Sequence, residues 1–189
     1  MINGYTLIDP ATATGDARKL FERAEKGMGF VPNLINTFAE SPITGETLLD
    51  LYGITSKTGF TPLQVHVVFQ AASVLNQCAY CVPAHSTGGR KGGVPDQLDD
   101  ALRASEPLED PKLEALRVFT EITVSSRGRA TAQEFNDFIA AGWSRKAALE
   151  VVLLVSIKTL TNYANHMIEA DIDEVFEPLG WTPSEPALA

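Results

Sequence analysis

No stretch of this chain carries the apolar–polar alternation of a half-buried strand, whereas helix signals recur from end to end. Ser41-Pro42, Thr61-Pro62 and Asp110-Pro111 each put a capping side chain before a proline at the first helical position. Thr131 to Glu134, "TAQE", has the form of a capping box, Gly142 after "FIAA" is a stop, and Ser144 can cap the helix that follows. The pattern predicts helices near 14–27, 32–39, 42–57, 62–76, 79–91, 95–104, 111–126, 132–140 and 145–167, with a shorter one near 171–177. The links are short, so residues 1–189 are expected to form a single all-α domain without a linker. The tail from Pro178, "PLGWTPSEPALA", is proline-rich and expected to be extended.

Two of the predicted helices, "LQVHVVFQAASVL" and "ALEVVLLVSIKTL", are apolar on nearly every side. Such a helix belongs at the centre of a fold or in a subunit interface. Overlaying Val67-Val68 on Val151-Val152 places His66 on Glu150 and Cys78 on Asn162. This is a weak internal repeat of a helical hairpin, and chance similarity between two buried helices is its rival. The quantity of apolar surface also predicts a homo-oligomer.

Composition narrows the function. The 189 residues carry a formal net charge of −9. A chain this acidic repels phosphate backbones and lacks the basic face of a membrane-surface helix, so neither nucleic acid nor membrane is an expected partner. The N-terminal stretch has no basic start and no apolar run, and "ALEVVLLVSI" is short for a bilayer. The expectation is a soluble, cytoplasmic protein. In a reducing compartment two cysteines do not serve as a structural staple, and the bland alternative is a small buried hydrophobe at each position.

Both cysteines fall in "LNQCAYCVPAH", as Cys78 and Cys81, with His85 four residues beyond the second. Residues three and four apart share a helix face, with Cβ atoms about 5–6 Å apart, and a small distortion brings two cysteines to disulfide distance. Pro83 tolerates only the first turn of a helix, so a helix should begin at the CxxC and the preceding one should break near Asn76-Gln77. A helix N-terminus lowers a thiol pKa, and His85 can take or return a proton. A redox pair and its base are therefore one reading. Zinc is another, with Cys78, Cys81, His85 and either His66 or His166 as ligands. On a straight helix His66 would lie about 18 Å from Cys78, so it joins the cysteines only if the chain folds back; otherwise it is a core histidine. The βαβ context of a thioredoxin-like CxxC is absent. "GGRKGG" does not fit a phosphate loop and reads as a helix end with basic residues at its negative pole.

The segment "LNQCAYCVPAH" resembles the core motif of the AhpD-like alkylhydroperoxidases, grouped with the carboxymuconolactone decarboxylases, whose signature is a glutamate, eleven residues and C-x-x-C-x-x-x-H. Cys78, Tyr80, Cys81 and His85 match it. "FVPNLINTFAESP", "TPLQVHVVFQAASVLNQC" and "AAGWSRKAALEVVLLVSIKTLTNYANH" resemble flanking segments of the family, so the likeness runs along nearly the whole chain. The resemblance implies an AhpD-like orthogonal bundle of helical hairpins, usually oligomeric, with the redox core at about 61–104. It implies a thiol-dependent peroxidase or dithiol–disulfide oxidoreductase that needs no cofactor or metal. Cys81 would be the nucleophile, Cys78 the resolver, and His85 part of a proton relay, with a hydroperoxide as substrate and a separate dithiol as reductant. The glutamate position is occupied by His66, which would have to take over the relay; Glu150, at the repeat-equivalent position, is a second candidate. The alternatives are a redox-sensing or scaffold oligomer without turnover, and a decarboxylase-like lyase.

Overall fold

The computed structural model describes residues 2–183. Nine α-helices follow one another among them: α1 (Gly15–Met28), α2 (Asn33–Thr37), α3 (Pro42–Thr55), α4 (Pro62–Leu75), α5 (Cys81–Lys91), α6 (Asp96–Arg103), α7 (Pro111–Ser125), α8 (Ala132–Ala140) and α9 (Arg145–Ile168). A 3-10 turn over Phe38–Glu40 continues α2, and a second over Glu174–Leu179 follows α9. No strand occurs among the described residues.

The sequence signals work locally as capping chemistry. Thr61 Oγ1 accepts from the Gln64 N–H while the Gln64 side chain accepts from the Thr61 N–H, and Thr131 and Glu134 do the same for α8. The Asp110 carboxylate accepts from the N–H groups of Lys112 and Leu113, and Ser144 Oγ from that of Ala147. Ser41 departs from expectation. Its hydroxyl meets Thr44 Oγ1 rather than a backbone N–H, so Pro42 alone marks the start of α3. The C-terminal region also differs: Pro178 sits inside the 3-10 turn, extended chain begins only at Gly180, and residues 184–189 of the tail lie outside the described residues.

Helix α4 is the hub. It packs against α5, α6, α7 and α9, and residues His66 to Val74 are all buried. A run of α4 that is apolar except for His66, Gln70 and Ser73, each hydrogen-bonded, is what a helix surrounded on all sides requires. Helix α9 is long and apolar enough to cross a membrane by length and composition, unlike the shorter apolar segment read from the sequence. Half of that window is buried in the fold, where α9 meets α3, α4 and α7.

The chain breaks after Leu75, with Asn76 as the cap of α4 and Gln77 in the left-handed region at φ 55°. This reversal lays α5 against α4 and returns the cysteines towards the middle of the molecule.

Candidate active site

Cys78 and Cys81 are joined in a disulfide, with Cα atoms 5.3 Å apart. Helix α5 begins at Cys81 itself, and the Cys81 N–H donates to Cys78 Sγ at 3.2 Å. Pro83 occupies the first turn, where its missing N–H has no helical partner to lose. Both sulfurs are buried in the protein core.

Cys81 and His85 open onto the same cavity of about 430 Å³. Its wall is apolar, built from α3 (Leu48, Tyr52), α4 (Phe69), the segment around α2 (Phe30, Leu34) and the 3-10 turn at Phe176. The polar groups that converge on it are few: Cys81, His85, Tyr80, Thr87, Thr161 and Lys158, with the exposed Lys91. An apolar cavity with a few convergent polar groups is the usual form of a small-molecule site.

Lys158 is the group that sequence reasoning missed. It lies on α9, is only 1 % exposed, and places Nζ 2.6 Å from His85 Nε2 and 2.9 Å from Thr161 Oγ1. Burial drives its pKa down to about 7. The pKa of His85 is held well below the ordinary imidazole value, first by burial and then by the Lys158 charge. His85 is therefore neutral near pH 7, with Nε2 as acceptor facing Lys158 and the ring proton on Nδ1. Phe69 packs on the other side of the imidazole, with ring centroids 5.2 Å apart. Tyr52, half-buried with its hydroxyl beside Thr161, is pushed up to about 12 by desolvation, which keeps that hydroxyl protonated.

Tyr80, between the cysteines, fastens the cavity wall. Its O–H donates to Asp173 Oδ2 at 2.5 Å, and its oxygen accepts from the Leu34 N–H. Asp173 also accepts from the Asn33 N–H. Burial raises the pKa of Tyr80, and the Asp173 bond raises it further. Arg103 holds the far end of the same strap by donating to the carbonyls of Leu179 and Gly180.

His66 is placed differently from the other three candidates. Its Nε2 lies 3.0 Å from Asp99 Oδ1, and its ring fits against Gly89, where an added Cβ would stand 2.4 Å from the imidazole. Asp99 is fully buried and also accepts from Gln70, Ser86 and Arg90. Burial alone would raise its pKa, but the hydrogen bonds from His66, Arg90 and Ser86 outweigh that and lower it. An ionised Asp99 makes His66 Nε2 the donor. The structure thus opens Cys81 and His85 onto the cavity with Cys78 bonded behind Cys81, and it places His66 in a polar cluster among α4, α5 and α6. The second relay candidate, Glu150, is engaged elsewhere: it accepts from the Gly59 N–H and pairs with Lys146. "GGRKGG" holds the helix end expected of it, with Arg90 and Lys91 in the last turn of α5, and its Gly89 is also the seat of the His66 ring. His166 lies far along α9 against Tyr163, and no cluster of three His, Cys, Asp or Glu side chains suited to a metal occurs among the described residues.

Residues 45–121 match the sequence profile of the carboxymuconolactone decarboxylase family. This segment holds α4, the CxxC and α5. Among curated proteins, none matches this chain. Solved structures share its fold. The AhpD-core, peroxidase-related protein of Ralstonia eutropha superposes with a TM-score of 0.80 at 20% identity, covering 95% of this chain and 97% of its own. A peroxidase-related protein from a Silicibacter species gives 0.76 at 16% identity, over 92% and 95% of the two chains. The debrominase Bmp8, in a variant complexed with 2,3,4-tribromopyrrole, gives 0.78 at 18% identity, over 94% and 96%. At these identities the likeness is one of fold, and the resemblance read from the CxxC motif is borne out at the level of family and architecture.

Proposed function

We propose, taking as premise a chain whose residues 45–121 carry the carboxymuconolactone decarboxylase family core on the fold of an AhpD core, that this protein is a dithiol–disulfide oxidoreductase that reduces organic hydroperoxides. The observation that carries the reading is the opening of Cys81 and His85, with the Cys78–Cys81 disulfide behind them, onto one apolar cavity.

In the reduced protein the Cys81 thiolate attacks the distal peroxide oxygen, the O–O bond breaks, and the alcohol leaves with a proton. Cys81 is then a sulfenic acid. The Cys78 thiol attacks that sulfur, water departs, and the disulfide forms. Two electrons from a separate dithiol reductant restore the thiols. His85, neutral at Nε2, is the group suited to take the Cys81 proton and pass it on, with Lys158 adjacent as its hydrogen-bonding partner. Cys81 is assigned the attack because it lines the cavity and sits at the N-terminus of α5. His66 supports this chemistry from a distance: bonded to Asp99, its ring packs on the α5 backbone at Gly89.

The test is consumption of cumene hydroperoxide with dithiothreitol as reductant. Wild-type protein should turn over and lose two thiols together per peroxide, without crosslinked dimers, and Cys81→Ser should abolish turnover. Loss of both thiols without repeated turnover would instead identify a sensor. One further substrate belongs in the same assay. The flat aromatic walls at Tyr52, Phe69 and Phe176, together with the fold shared with a debrominase, favour a halogenated aromatic ring as a second electrophile. Bromide release from 2,3,4-tribromopyrrole with inert hydroperoxide would move the reading to reductive dehalogenation.

A further inference from the structure

Lys158 is a cation-forming side chain without a counter-ion among the described residues. It is 1 % exposed, and among the described residues no carboxylate pairs with it. Its two recorded partners are uncharged acceptors, His85 Nε2 and Thr161 Oγ1. A free amine has two hydrogens and one lone pair. With both hydrogens engaged by those acceptors, the lone pair is left without a partner on a side chain that lines the cavity.

We propose that Lys158 is an imine-forming amine, whose Nζ condenses with small apolar aldehydes or ketones held in the cavity above the disulfide. Nζ adds to the carbonyl carbon, and one Nζ proton passes by way of His85 Nε2 to the carbonyl oxygen, which gives the neutral carbinolamine. The remaining Nζ proton passes by the same route to the hydroxyl, which leaves as water, and a C=N bond remains. Amine and carbonyl give imine and water, with no change of oxidation state and no further reactant. Desolvation in an apolar pocket is a known way to make a lysine nucleophilic, and burial brings this amine down to about 7, so that much of it is free base near neutrality.

The surroundings choose the ligand class. Phe69, Tyr52, Leu48 and Phe176 offer aromatic and aliphatic faces, and no carboxylate lines the cavity. The titratable groups facing Nζ are few. Helix α5 presents His85, and α3 presents Tyr52, whose hydroxyl stays protonated at neutrality. Helix α4 presents the Phe69 ring, 5.6 Å from Nζ. The paired cysteines do not titrate, and no group on α7 bonds to Lys158 among the described residues. The amine is therefore the group whose own ionisation should govern its reactivity.

The experiment uses the full chain in its disulfide form, so that thiols do not compete and the outcome is independent of peroxide turnover. One equivalent of benzaldehyde is added with cyanoborohydride at about pH 7.5, and the reduced benzyl adduct is located by peptide mass mapping. Lys158 is expected to carry the label with at least about tenfold preference over Lys19 and Lys146, which are largely exposed. Labelling should fall as pH drops below about 7, excess benzyl alcohol should protect Lys158 alone, and Lys158→Arg should lose the site adduct. Label spread over Lys19 and Lys146 with Lys158 unmodified overturns the proposal, and that result is read on the wild-type protein whether or not a variant folds. Labelling of Lys158 without protection by benzyl alcohol overturns the claim that the cavity binds the carbonyl compound.

Discussion

A lysine with its amine in an apolar interior opposes the fold that contains it. The folded value for Lys158 is about 7 against an ordinary value of 10.5, so between those limits the unfolded chain holds a proton that the folded chain has shed. Stability contributed through this group therefore rises with pH across that window. Below about 7 the buried ammonium exerts its full penalty, on the order of 5 kcal/mol. Lys158→Met keeps the volume and removes the charge. It should raise the melting temperature most at about pH 6 and hardly at all near pH 10, measured by thermal denaturation across that range. A gain independent of pH would mean that the lysine is not desolvated as described. A residue so unfavourable for folding stands at the cavity bonded to His85, the arrangement that the proposed amine chemistry would use.

At the scale of elements, the strap over Glu174–Leu179 depends on a few directed bonds. Tyr80 O–H to Asp173 ties it to the CxxC, and Arg103 ties its end to α6. Tyr80→Phe leaves the ring contact with Phe176 in place but strips the half-buried Asp173 of that donor. The expected loss is about 1–3 kcal/mol, with faster reduction of the disulfide by dithiothreitol as the wall loosens; an unchanged reduction rate would show that the strap does not guard the sulfurs. The elements themselves were largely legible in the sequence because caps and prolines act within one turn: Thr61-Pro62, Asp110-Pro111 and Thr131–Glu134 all begin helices as read. The site was legible only where it is local. Cys78, Cys81 and His85 follow one another at spacings of about one turn, whereas Lys158 meets His85 across 73 residues. The available clue was a lone lysine in the middle of "VSIKTL", on a helix apolar all round. Asp99 was equally hidden, since a carboxylate in "DQLDDALR" resembles the solvent face of a short helix until Arg90, Gln70 and His66 close on it.

For the whole molecule, the fold leaves a row of large apolar side chains outside. Leu149, Val152, Tyr163 and Met167 lie along one side of α9, with Leu149 74 % and Tyr163 60 % exposed. A self-complementary apolar row on a 24-residue helix is suited to a two-fold contact with a second copy. Self-association through α9 is the expected state at micromolar concentration, and Leu149→Glu with Tyr163→Glu should reduce the mass seen by light scattering to that of one 20.4 kDa chain. A wild-type protein already at that mass would remove the expectation.

The strap also imposes an order of events at the ribosome. The cysteines emerge about 95 residues before Phe176, the ring that closes their cavity. At about 5–20 residues per second, translation leaves the pair without that wall for roughly 5–20 seconds. A nascent chain therefore passes through a stage in which its thiols meet oxidants and foreign disulfides without the selection that the finished cavity imposes, and slower synthesis between Cys81 and Phe176 would lengthen that exposure.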